Sequence, residues 1–172
     1  MTYPDTLALS RRVLRLLAKL NLLLGALILA LLIASLIAEG PVMRALGVRL
    51  AGSNSFVIVG MRLIMVIGLC GVPIVQFVLV RLLTIVETVG AGDPFVVANA
   101  ARLKSIAWAV LTLALMHFGV GAVAASVSSA ATPLDISWGF SLTQWLTVLL
   151  LFVLARVFEQ GARMREDLEG TV

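Results

Sequence analysis

Long unbroken apolar runs, separated by short polar stretches, set the organisation of this chain. Four of them, residues 16–38, 63–80, 105–127 and 142–158, each come near the roughly 20 residues that carry a helix across about 30 Å of hydrocarbon. Hydrocarbon offers no water to bond a free backbone amide, so each run is predicted to be a helix. The alternating pattern of a membrane barrel is absent. The expected fold is all-α: a four-transmembrane-helix bundle in one integral membrane domain spanning 1–172.

The polar stretches predict how the runs connect. Residues 1–15 read as an amphipathic lead, with Thr6 or Ser10 as its cap and Arg11, Arg12 and Arg15 among lipid headgroups. In 39–62, Pro41 can open a short helix whose Val42, Leu46, Val48 and Leu50 lie along the interface. Gly52 to Ser55 then break it, Ser53 or Ser55 caps a helix near Phe56, and Arg62 is expected to snorkel outward. The second helix should continue past its apolar run to Val89, about 13 Å beyond Val80. A turn follows in which Gly90 and Gly92 take unusual backbone angles, Asp93 caps and Pro94 is the first helical residue. Phe95, Asn99, Arg102 and Ile106 then share one face, with Phe95 packing back on the preceding helix and Asn99 bonding across to it. Residues 81–104 are thus expected to form a helical hairpin outside the membrane.

Pro133, Asp135, Trp138 and Gly139 mark an exposed turn after the third run, with Trp138 and Trp145 suited to an interfacial belt. Beyond the fourth run, residues 157–169 predict a C-terminal amphipathic helix. Glu159–Arg163, Arg163–Asp167 and Arg165–Glu169 are spaced by four, while Val157, Gly161, Met164 and Leu168 share a face.

Composition agrees. Of 172 residues, 61% are hydrophobic and 13% charged, against about 25% charged in a soluble domain. The first run exceeds the apolar stretch of a signal peptide, and Leu36, Ile37 and Ala38 lack the paired small residues of a cleavage site, so it is expected to stay as a helix. Charge orients the spans. Ten of the thirteen cations (Arg11, Arg12, Arg15, Lys19, Arg81, Arg102, Lys104, Arg156, Arg163 and Arg165) fall on one side, and Arg44, Arg49 and Arg62 on the other. The positive-inside rule then predicts both termini in the cytoplasm and the hairpin there too. The net charge of +4 is read as attraction to anionic lipid, since the cations border apolar runs, and no direct nucleic-acid binding is expected.

Candidate chemistry is sparse. Cys70 is the single cysteine, so neither a disulfide nor a multi-cysteine metal site can form within one chain. Asn21 and Gln76 lie at similar depth and could bond, while Gln144 sits near the outer surface. His117 falls near the midplane, in a four-residue-spaced stripe with Gly121 and Ala125. Its readings are packing, an oligomer contact, proton or substrate transport, and cofactor ligation, with packing foremost. The glycines of the hairpin turn lack the pattern of a phosphate or dinucleotide loop, and Asp93 opposes an anion there. The only histidine lies deep in a span and the outer carboxylates Glu39 and Asp135 are scattered. The chain is therefore expected to be no enzyme and to hold no cofactor or metal.

The stretch from Gly92 to Trp108 and the ending from Val157 to Val172 resemble the bacterial integral-membrane family catalogued as the domain of unknown function DUF2975. Gly92, Pro94 and Phe95 match its Gly-x-Pro-Phe turn, and Asn99, Arg102 and Leu103 its Asn-x-x-Arg-Leu pattern. Phe158, Gly161, Ala162, Arg165 and the Thr171–Val172 end are similar to its C-terminal signature. The resemblance implies an inner-membrane protein, often encoded beside small helix-turn-helix regulators, and transfers no catalytic residue. The leading expectation is an interaction or regulatory protein docking a cytoplasmic regulator or another membrane subunit through Phe95, Asn99, Arg102, Met164, Arg165 and Leu168. The alternatives are a small oligomeric transporter using Asn21, Gln76 or His117, and a cofactor-binding membrane subunit.

Overall fold

The computed structural model describes residues 3–45, 55–92, 96–127 and 142–169. Within them the fold is all-α: α1 (Tyr3–Ile37), α2 (Glu39–Ala45), α3 (Ser55–Gly90), α4 (Val97–Val127) and α5 (Leu142–Glu169). The four long helices have 35, 36, 31 and 28 residues, or about 42–54 Å at 1.5 Å per residue, so each outruns a bilayer core of about 30 Å. All four are long and apolar enough to cross a membrane.

Proline sets two local features of α1 and α2. Pro4 sits in the first turn of α1, where its missing N–H is no loss. The helix therefore begins ahead of Thr6 and Ser10, and Ser10 is inside it rather than capping it. At the other end, Pro41 cannot donate to Ile37, and its ring crowds that carbonyl. Accordingly α1 ends at Ile37 and α2 restarts at Glu39. The gap is bridged by Ala38 N–H to the Ala34 carbonyl (2.7 Å) and Val42 N–H to the Ala38 carbonyl (3.3 Å). Leu46, Val48, Leu50, Ser53 and the outer turn with Pro133, Asp135, Trp138 and Gly139 lie outside the described residues. The predicted helix 157–169 is the unbroken continuation of α5.

Large aliphatic side chains cover the outside. Leu23 is 66% exposed and Leu150 64%, and Leu16, Leu27, Leu36 and Leu146 are similar. In water each would forgo about 1.5–3 kcal/mol of burial; against lipid tails the loss vanishes, because the surroundings are as apolar as leucine.

Close packing falls into two units, and α1, α3 and α4 contribute residues to both. One unit comprises residues 22–73 and 115–140. There Val57 and Ile58 pack with Met61 and Val127, and glycines bring helices together. A methyl added at Gly25 would lie 2.8 Å from Val72 Cγ1, and one at Gly60 2.5 Å from Val127 Cγ2. The other unit comprises residues 1–21, 74–114 and 141–172. Its buried hydrophobic positions are Ala100, Leu103, Ile106, Ala107, Ala109 and Ala114 on α4 and Val148, Ala155 and Ala162 on α5.

Candidate functional site

The junction of α3 and α4 is built on one left-handed residue. Gly92 has φ +88°, which a side chain would strain by about 1–2 kcal/mol. Ala91 N–H reaches the Glu87 carbonyl at 3.1 Å, and Gly92 N–H turns back to the Val89 carbonyl at 3.1 Å, closing the last turn. Gly90, expected as a second turn residue, is instead the final residue of α3 with ordinary helical angles. Its use is steric: a side chain there would collide with the Arg11 guanidinium, beside Leu7. Arg11 was expected among headgroups. It packs over the C-terminal turn of α3, whose carbonyls carry partial negative charge, with its Nε buried. Asp93, Pro94 and Phe95, the remaining turn and docking candidates, lie outside the described residues.

Asn99, the third residue of α4, is 0% exposed. Its Nδ2 donates to Thr88 Oγ1 at 2.8 Å, and Arg102 Nη1 donates to its Oδ1 at 2.7 Å. The single Thr88 hydroxyl proton has two acceptors in reach, the Ile85 carbonyl at 2.8 Å and Asn99 Oδ1 at 3.1 Å. The shorter contact, with Arg102 already on Oδ1, assigns it to Ile85. Thus a chain of bonds runs Arg102–Asn99–Thr88–Ile85 and ties α4 to the end of α3. Expected on a partner-facing surface, Asn99 is consumed inside the hairpin; Arg102 is half-buried beside it.

On α5, Glu159 binds Arg156 at 3.1 Å and Arg163 at 2.8 Å. Met164 is 62% exposed, and Arg165 is exposed next to it; the Leu168 side chain lies outside the described residues. Where α5 passes α4, Trp108 and Phe152 meet edge-to-face at 5.4 Å between centroids, 86° apart. Next to them an open groove of about 380 Å³ is lined by Ala100, Ala101, Lys104, Phe152, Ala155, Arg156 and Glu159.

Of the polar residues in the apolar runs, the structure joins two: Asn21 Nδ2 donates to Gln76 Oε1 at 3.2 Å. His117 is not brought to them. It is exposed, Gly121 of its stripe is buried, and Ala125 is exposed again. Successive four-residue steps rotate about 40° around a helix of 3.6 residues per turn, so only the middle of the stripe faces inward. Arg62 departs most from expectation. Rather than pointing outward, its Nη2 donates to the Ser35 carbonyl (2.7 Å) and to Glu39 (2.8 Å), and its Nε to Ser35 Oγ (3.1 Å). It places a cation and two donors on the last turn of α1, where carbonyls run short of partners. Ser35 is 0% exposed. The only trace of this trio in the sequence is position: Ser35 and Glu39 fall at the end of one apolar run and Arg62 just before the next.

Among the described residues, no three His, Cys, Asp or Glu side chains converge as a metal site. Four helices long and apolar enough to cross a bilayer define a multi-pass integral membrane protein. The chain belongs to the family described as "Protein of unknown function (DUF2975)", whose model matches residues 39–172, from α2 to the end. No curated protein and no solved structure matches it.

Proposed function

We propose that the chain is a non-enzymatic interaction protein of the bacterial inner membrane, with both termini in the cytoplasm. In this reading it docks a small helix-turn-helix transcription regulator, the partner implied by the family resemblance, on the end of α5 beside the α3–α4 hairpin. The observation that carries the proposal is Met164: a large apolar side chain, 62% exposed, about 9 Å past the end of the fourth apolar run at 1.5 Å per residue. An apolar side chain standing beyond the hydrocarbon, with Arg163 and Arg165 on either side, has the make-up of an interface: an anchor inside a charged rim. The Asn99 bonds keep the neighbouring hairpin rigid, which lowers the entropy lost on docking. Asn21 and Gln76 bond each other, which weighs against a polar passage built on them.

A photo-crosslinking residue at position 164 in intact cells should trap the regulator in stoichiometric amount. Met164→Glu should abolish its co-purification while membrane insertion and thermal unfolding stay as in the parent. Equal recovery with Met164→Glu would mean that the docking surface is misassigned.

A further inference from the structure

The first part of α1 turns one row of side chains inward. Leu7, Arg11, Leu14, Ala18 and Asn21 are half-buried at spacings of three and four, and every position between them is exposed. Arg11 on the end of α3 and Asn21 on Gln76 fix this rotation. A second row at the same spacing, one position further along, lies about 100° round the helix. It runs Arg12, Arg15, Lys19 and then Leu22, Ala26, Leu29, all exposed. The change from cation to apolar side chain falls where the bilayer changes. α1 ends at Ile37, and the roughly 20 residues that cross about 30 Å reach back to about residue 18. Lys19 is thus at the hydrocarbon edge. Arg15 and Arg12 stand about 5 and about 9 Å outside it, across the headgroup layer, while Leu22, Ala26 and Leu29 lie deeper. No anion balances these cations. Between Asp5, two turns before Arg12, and Glu39 the chain has no acidic residue. Among the described residues Arg12, Arg15 and Lys19 have no ion-pair or hydrogen-bond partner, whereas Arg62, Arg156 and Arg163 are held by carboxylates.

We propose that this row of α1 binds one anionic phospholipid, its phosphate between Arg15 and Lys19, Arg12 at the outer edge of the headgroup, and an acyl chain along Leu22, Ala26 and Leu29. Arg15 and Lys19 are four positions apart and so are neighbours on the helix surface, able to share one phosphate. Depth and order select lipid as the occupant. The cations occupy the headgroup layer, and the apolar half of the row begins one turn deeper on the same unbroken helix. A free phosphate would meet the cations and touch nothing below them. Among the arginines expected at the headgroups, Arg11 is set apart: it holds α1 on α3, which turns Arg12 and Arg15 to the lipid. The row lies on α1 and the docking surface on α5, so either reading can fail alone.

Native mass spectrometry of the full-length protein in non-ionic detergent tests it, using phosphatidylglycerol, phosphatidylcholine of the same chains, and glycerol phosphate as a chainless headgroup. Both lipids are offered to one preparation, so their ratio reads selectivity whatever the amount of folded protein. Phosphatidylglycerol should bind at least about five-fold more tightly than phosphatidylcholine, and glycerol phosphate should not bind at the same concentration. Arg15→Gln or Lys19→Gln should each weaken phosphatidylglycerol about five-fold, the worth of one basic side chain near an anionic surface, and leave phosphatidylcholine unchanged. Val13 is 45% exposed and lies about 160° round the helix from Arg15. Arg15→Gln combined with Val13→Arg therefore keeps the net charge but moves the guanidinium off the row, and it should bind as weakly as Arg15→Gln alone. Equal binding of the two lipids, unaltered binding in both single variants, full recovery in the charge-keeping variant, or binding of glycerol phosphate to the same extent would each overturn the assignment.

Discussion

Replacing Asn99 by alanine removes the group around which the α3–α4 hairpin is tied. Among the described residues two side-chain partners meet it, Thr88 through a neutral bond and Arg102 through a charge-assisted one. Such bonds contribute about 1 and about 1.5–3 kcal/mol respectively. Arg102 is half-buried, so water recovers part of the second, and the expected loss is about 2 kcal/mol. The comparison that makes this diagnostic is Asn21→Leu. Its bond to Gln76 lies inside an apolar run, where measured side-chain bonds average about 0.6 kcal/mol because the unfolded chain also finds partners in the membrane. Asn99, six residues ahead of the third run, is in the aqueous regime. The double variant Thr88→Val with Asn99→Leu, which makes both ends of the neutral bond apolar, should regain much of the loss. Unfolding by sodium dodecyl sulfate in mixed micelles, followed by far-ultraviolet circular dichroism, gives all three free energies on one scale. If Asn99→Ala unfolds with the parent, or Asn21→Leu costs more than Asn99→Ala, the depth assignment behind these figures is wrong.

The same assay checks three smaller predictions. Gly60→Ala puts a methyl 2.5 Å from Val127 Cγ2 and should destabilise, whereas Gly68→Ala and Gly119→Ala meet nothing within 4 Å; overpacking costs about 1–3 kcal/mol, and a free helical glycine gains up to about 1 on becoming alanine. Gly92→Ala should lose about 1–2 kcal/mol through its positive φ, and Gly92→Asn less, since asparagine tolerates that region. Arg62→Met should cost about 1–3 kcal/mol by leaving the Ser35 groups without their donor, and Glu39→Gln, half-exposed, under about 1 kcal/mol.

The segments of the fold could be read from the sequence because the bilayer sets their length. The run of helix past Val80 ends at Gly90, one residue from where composition placed it, and the helix-compatible tail after residue 158 is helical to Glu169. The direction of single side chains was harder. Arg62 was expected to reach outward, since a lone cation at a span edge generally does; the capping groups that turn it inward lie on another helix, 27 positions earlier at Ser35. Gly90 looked like a turn residue because glycine before Ala91 and Gly92 suggests one, yet it is small for the sake of Arg11, which no local pattern reveals. Asn99 was placed correctly on the face toward α3, but its burial, and hence its withdrawal from any outer surface, depends on Thr88 standing opposite.

In a membrane, hydrophobicity cannot say which face of a helix turns inward, because lipid and protein are equally apolar; what distinguishes them is how closely two backbones can approach. The burial order follows from that. Leu23 is 66% exposed while Ala107 is 0% exposed, the reverse of a water-soluble core. On α4, Ala100, Ala107, Ala114 and Gly121 are all buried and recur every seven residues, the spacing at which a helix keeps one seam toward its neighbours. The His117–Gly121–Ala125 stripe caught one member of that seam and missed its period. Every small side chain on the seam lets a neighbouring helix come nearer and gain dispersion contacts that lipid tails, being mobile, fill less densely. Spacing of small residues, read over the whole helix, is thus the part of this sequence that encodes its packing, and it identifies α4 as the helix most enclosed by its neighbours.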